Sequence, residues 1–144
     1  MNAWQQQFVQ KMEGLREQGF RRFDAFVDEV VDPTFEAFQE FTSSCDFQAS
    51  TPQHQKGQRS YRFSLTEDVY VLNFFRAKGV AEVEHEWEAC VPGHGRVKGS
   101  VTTTGVVSAD DAWVEACFQK ALDGFVGGFS DKKEHARQPE LAHA

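Results

Sequence analysis

Apolar positions in the first 42 residues recur at helical spacing. Trp4, Phe8, Met12 and Leu15 step by four and three; Phe23, Phe26/Val27 and Val30/Val31 continue the stripe, and Phe35, Phe38 and Phe41 make another. A straight helix of 40 residues would be about 60 Å long, whereas a compact domain of this chain length is about 37 Å across. The helix must therefore bend, break or project. Asp32-Pro33 predicts a break, because Asp is a good N-cap and Pro is preorganised for the first helical position. Gly19 is a second candidate. If neither interrupts the helix, the projecting half needs a partner, and a second copy is the simplest one.

After Thr42-Ser43-Ser44 the period changes to two. Cys45–Thr51 reads as a short strand and Pro52–Gly57 as a polar loop. Arg59–Thr66 alternates with Tyr61, Phe63 and Leu65 on one side, and Val69–Ala77 with Tyr70, Leu72 and Phe74 on one side. Lys78-Gly79 predicts a tight hairpin, and Pro92-Gly93-His94-Gly95 a looser one. Val80–Val91 is the clearest strand in the chain. Glu82, Glu84, Glu86 and Glu88 occupy one face, and Ala81, Val83, His85, Trp87 and Ala89 the other. Arg96–Val107 is a Thr- and Val-rich strand.

Ser108-Ala-Asp-Asp111 has capping-box spacing and predicts the start of a last helix. Its stripe is Trp113, Cys117, Ala121, Phe125 and Phe129, and Gly127-Gly128 predicts its stop. Residues 131–144 are polar and read as a disordered tail, leaving one domain over 1–130. The expected fold is α+β. A bent or broken N-terminal helical segment leads into a four- to five-stranded antiparallel meander, followed by a C-terminal amphipathic helix, with the helices on one face of the sheet.

The predicted registers follow from the turns. Closing on Lys78-Gly79 sets Leu72 beside His85 and Tyr70 beside Trp87. Closing on Glu67-Asp68 sets Phe63 beside Leu72 and Tyr61 beside Phe74. A five-residue loop Pro92–Arg96 sets His85 beside Thr103. These choices gather the aromatic and aliphatic side chains on one face, which a one-residue slip would undo.

Composition refines this picture in three ways. Fourteen Phe against no Ile make the core largely aromatic. A net charge of −7 with no basic stripe speaks against nucleic acid and anionic membrane as partners. No secretory signal or apolar run of membrane-spanning length is visible. Cys45, Cys90 and Cys117 are odd in number and without metal-ligand spacing, which suits reduced thiols and a cytoplasmic location.

Candidate chemistry is sparse. No nucleophile elbow, phosphate loop, zinc-binding helix or dinucleotide fingerprint occurs, so no catalytic residue, metal ligand or cofactor is assigned. The glutamate row Glu82, Glu84, Glu86 and Glu88 reads first as a solvated sheet face and second as a docking surface for a basic partner. His85 points to the packed face, where a buried imidazole needs hydrogen-bond partners. It is either a structural histidine or part of a pocket for a small apolar or aromatic ligand, lined by His85, Trp87, Tyr61 and Tyr70. The sequence thus favours a small acidic interaction protein, chaperone-like or adaptor-like and dimeric, over a ligand-binding protein. An enzyme ranks last.

Overall fold

A computed structural model describes residues 1–141, with side chains through Phe129. The element order is α1 (Ala3–Phe26), a π-turn (Val27–Val31), α2 (Asp32–Ser43), β1 (Gln53–Gln55), β2 (Gln58–Thr66), β3 (Val69–Lys78), β4 (Glu82–Val91), β5 (Gly95–Gly105) and α3 (Asp111–Leu141). The five strands form one antiparallel meander in sequence order, and helices cover one of its faces. The expected α+β class is the one observed. The proposed tail, 131–144, lies outside the fully described residues.

Neither predicted break interrupts the N-terminal helix. Proline cannot donate a backbone hydrogen bond, and its ring crowds the carbonyl four residues earlier. The chain absorbs both effects by widening one turn: the Asp32 amide donates to Val27 O, one residue further back than in an α-helix. Thr34 Oγ1 donates to Val30 O at 2.8 Å, giving that carbonyl a partner. Gly19 marks a close approach instead of a break, since a Cβ there would lie 2.9 Å from Val80 O. Glu17 still reaches Lys56 at 3.0 Å; the residues of α1 before it leave the body of the domain, and no residue from Met1 to Gln18 is buried.

The core is aromatic, as composition implied. Phe118 of α3 is its centre, with ring centroids 5.4–5.9 Å from Phe35, Phe38, Tyr61, Phe63 and Phe75. Most of these contacts are tilted or edge-on, the geometry that ring quadrupoles favour. Trp87 lies between two backbones. A Cβ at Gly99 of β5 would come within 1.9 Å of the indole, and one at Gly124 of α3 within 2.2 Å.

Several local expectations are overturned. Cys45–Thr51 contributes only an isolated bridge, Gln48 to Ser64, and the short strand is β1, inside the segment read as a polar loop. The α3 cap is Asp110, whose Oδ1 accepts from the Trp113 amide at 2.9 Å, instead of Ser108. Gly127-Gly128 does not end α3.

The registers also differ. Glu67-Asp68 is the β2–β3 turn as expected, but a bulge between Ser64 and Thr66 slips the ladder by one, pairing Phe63 with Val71 and Tyr61 with Asn73. The β3–β4 loop is Gly79–Ala81, three residues long, and pairs Phe75 with His85. The β4–β5 turn is Pro92–His94, and a second bulge at Trp87 sets His85 beside Thr102. Strand β4 buries the face expected of it. Strand β3 is reversed: Val71, Asn73 and Phe75 are buried, while Tyr70, Leu72 and Phe74 are on the other face.

Candidate functional site

The structure concentrates polar chemistry where the π-turn meets the sheet. Arg59 of β2 lies 2.8 Å from Asp28 and 2.9 Å from Asp32, which stand at either end of the widened turn. The Tyr61 hydroxyl donates to the other oxygen of Asp32 at 2.6 Å. The Arg59 side chain is only 8 % exposed. Burial alone would lower its pKa; the hydrogen bond to Asp28 and the charge of Asp32 outweigh that, and the guanidinium stays charged. Burial first, then donation to Asp32, raises Tyr61 far above the usual phenol range.

Two strands across the sheet from Arg59, beyond Phe75, is His85, 0 % exposed. Its Nε2 is 2.8 Å from Asn73 Oδ1, and its ring packs on Phe75 at 4.8 Å. Asn73 Nδ2 points to Tyr61 O, 3.5 Å away, which orients the amide. Asn73 Oδ1 can only accept, so His85 carries its proton on Nε2. Its Nδ1 has no partner among the described residues. Burial, with a smaller contribution from the positive charge of Lys120, pushes the imidazole pKa down to about 3. Burial likewise pushes the Cys117 thiol up to about 12. Each of these groups rests in its uncharged form and away from solvent.

Of the four residues expected to share a pocket, His85, Trp87 and Tyr61 lie on the buried face. Tyr70 does not join them. The bulge in β2 and the longer β3–β4 loop turn it to the open face, where the Arg62 guanidinium stacks on its ring at 3.9 Å. Arg76 covers Phe74 in the same way at 4.8 Å.

The glutamate row is half-buried rather than fully wet. Arg76, directly across from Glu84, approaches Glu84 at 3.5 Å and Glu86 at 3.0 Å, and Arg96 lies 3.8 Å from Glu88. Glu82 alone of the four is exposed. Three of the four acids expected to meet a basic partner are thus already beside a cation of their own sheet. Among the described residues, no group of three or more His, Cys, Asp and Glu is placed to hold a metal ion. No described helix is long and apolar enough to cross a membrane.

The surface carries a different signal. Trp4 is 67 % exposed, and Phe8, Val9 and Leu15 follow it along the projecting part of α1. Trp4 and Phe8 stack with centroids 5.3 Å apart, forming one ridge a single turn long. A capping box between Asn2 and Gln5 fixes the start of this helix, so the ridge is held on a formed element. Between α2 and α3 lies a groove of about 550 Å³, lined by Ala37, Phe38, Phe41, Gln119, Leu122 and Asp123. Phe41, on its lip, is 67 % exposed.

Sequence reasoning missed the Arg59–Asp28–Asp32 cluster. Its signal is present, because acids four residues apart share a helix face, but Asp32-Pro33 reads locally as a helix cap. Comparison with protein-family models, curated proteins and solved structures finds no match to this chain.

Proposed function

We propose that this chain is a non-enzymatic interaction protein, chaperone-like or adaptor-like, that works as a dimer through the apolar stripe of α1. The observation that carries this reading is the Trp4–Phe8 ridge, displayed on a capped helix outside the core. Isolated exposed apolar residues are ordinary, but an aromatic pair continued by Val9 and Leu15 on one projecting helix is a contiguous patch of the kind found at protein contacts. The buried polar groups support the same reading. His85 bonds Asn73 between β3 and β4, Tyr61 bonds Asp32 between β2 and α2, and the Cys117 thiol is buried, so these groups serve the packing of the fold. Three free thiols suit a reducing compartment and support a cytoplasmic location.

Light scattering on the eluting protein tests the proposal. The wild type should be a dimer, and a Trp4→Ser/Phe8→Ser variant a monomer with an unchanged far-UV circular dichroism spectrum, because both residues are outside the core; its melting temperature should fall only by the stabilisation that association gives the wild type. A strictly monomeric wild type, or a variant that remains a dimer, would overturn it.

A further inference from the structure

The exposed large apolar side chains gather mainly at two places. One is convex, the α1 ridge of Trp4 and Phe8. The other is concave, the α2/α3 groove with Phe41 on its lip and Val126 and Phe129 further along α3. Resting on the reading of α1 as a self-association surface, we infer that the groove receives the Trp4–Phe8 ridge of a second copy, and that the two copies exchange ridges reciprocally.

Electrostatics favours this occupant. The chain carries −7, so two copies repel unless the contact is made by neutral or complementary parts. Residues 2–10 of α1 contain no charged side chain. No acid stands in the first turn of the helix, and its cap is built from neutral Asn2 and Gln5, so the positive end of the helix dipole is uncompensated. The groove offers the opposite sign: Asp123 lines it, and exposed Glu40 lies one turn from Ala37 on α2. The ridge is thus the least repelled part of an acidic molecule, and the groove is where its helix end finds an acid.

Area and symmetry point the same way. Pairing one α1 stripe with another gives a single contact and leaves both grooves open. Reciprocal exchange gives two identical contacts and covers all four patches, closing as a two-fold dimer. With an aromatic side chain burying about 150–250 Å² and only the exposed parts counted, two such contacts hide on the order of 1,000 Å², the lower bound of a specific interface.

The test uses the full chain in light scattering, with Trp4→Glu, Phe41→Glu and, as a second block of the groove from an exposed helical position, Ala37→Trp. Far-UV circular dichroism and melting temperature identify any variant that fails to fold. Each folded variant should be monomeric. Mixing Trp4→Glu with Phe41→Glu should restore a fraction of dimer, because one ridge–groove contact is intact in that pair and none is intact in either variant alone. If Phe41→Glu and Ala37→Trp remain dimers while Trp4→Glu is monomeric, the groove assignment is overturned and the role of α1 stands. If all three remain dimers, the role of α1 falls as well.

Discussion

Asn73 Oδ1 and His85 Nε2 lie 2.8 Å apart between β3 and β4, and both side chains are fully buried. Each gives the other a hydrogen bond that the surrounding aromatic core cannot offer. Asn73→Leu removes the acceptor and leaves a buried donor without a partner, which should cost about 1–3 kcal/mol. The double variant Asn73→Leu/His85→Leu should recover part of that loss, since replacing both partners by apolar groups can be nearly neutral. Urea unfolding of the two singles and the double gives the coupling energy. A coupling near zero would show that the pair is not a unit.

His85 also sets an acid sensitivity. Its pKa is lowered from an unfolded value of 6.5 to about 3 in the fold, so between those two pH values the unfolded chain binds a proton that the folded chain does not. Stability therefore rises with pH across this window, and this one group contributes a slope of about 1.4 kcal/mol per pH unit there. Above pH 6.5 the effect vanishes. Imidazole chemical shifts of the folded protein should show His85 neutral down to pH 4, and a midpoint between 6 and 7 would contradict this.

Arg59 ranks its two acids. Asp32 bonds both Arg59 and Tyr61 and its side chain is 30 % exposed, whereas Asp28 bonds Arg59 alone and is 62 % exposed. Asp32→Ala should therefore destabilise by about 2–3 kcal/mol, short of the full cost of breaking a buried pair, and Asp28→Ala by under about 1 kcal/mol. Equal losses in chemical denaturation would refute this ordering.

The indole of Trp87 fills the space that side chains at Gly99 and Gly124 would need. Gly124→Ala places a methyl group against a packed ring and should destabilise by about 1–3 kcal/mol, although Ala is the better helix former. At Gly14, an exposed interior position of α1, an added Cβ meets nothing within 4 Å, so Gly14→Ala should stabilise by up to about 1 kcal/mol. Thermal melts of the two variants should move in opposite directions.

Periodicity made the helices, the meander and the buried face of β4 legible. In β4 every inward position is apolar or His and every outward one from Glu82 to Glu88 is acidic, so only one phase is possible. In β3 the run Tyr-Val-Leu-Asn-Phe-Phe is apolar on both faces, and alternation cannot choose between them. The choice depends on Leu65 being bulged out of the ladder, on a three-residue loop after Lys78, and on Arg62 and Arg76 standing ready to cover Tyr70 and Phe74. All of these are cross-strand facts. The polar cluster was hidden for a related reason: Asp32-Pro33 has the local chemistry of a helix start, and only the approach of Arg59 and Tyr61 gives Asp32 its actual partners.

The sequence by itself determined the fold class, the aromatic core and the inward place of His85, because each follows from spacing along one element. Tertiary structure alone decided the phase of β3, the π-turn in place of a break, and the separation of Tyr70 from His85. Those outcomes depend on bulges, loop lengths and groups brought together from 27 to 31 residues apart, as in the reach of Arg59 to Asp32 and Asp28. Local pattern has no term for such contacts, and they are what set the energies by which one register wins.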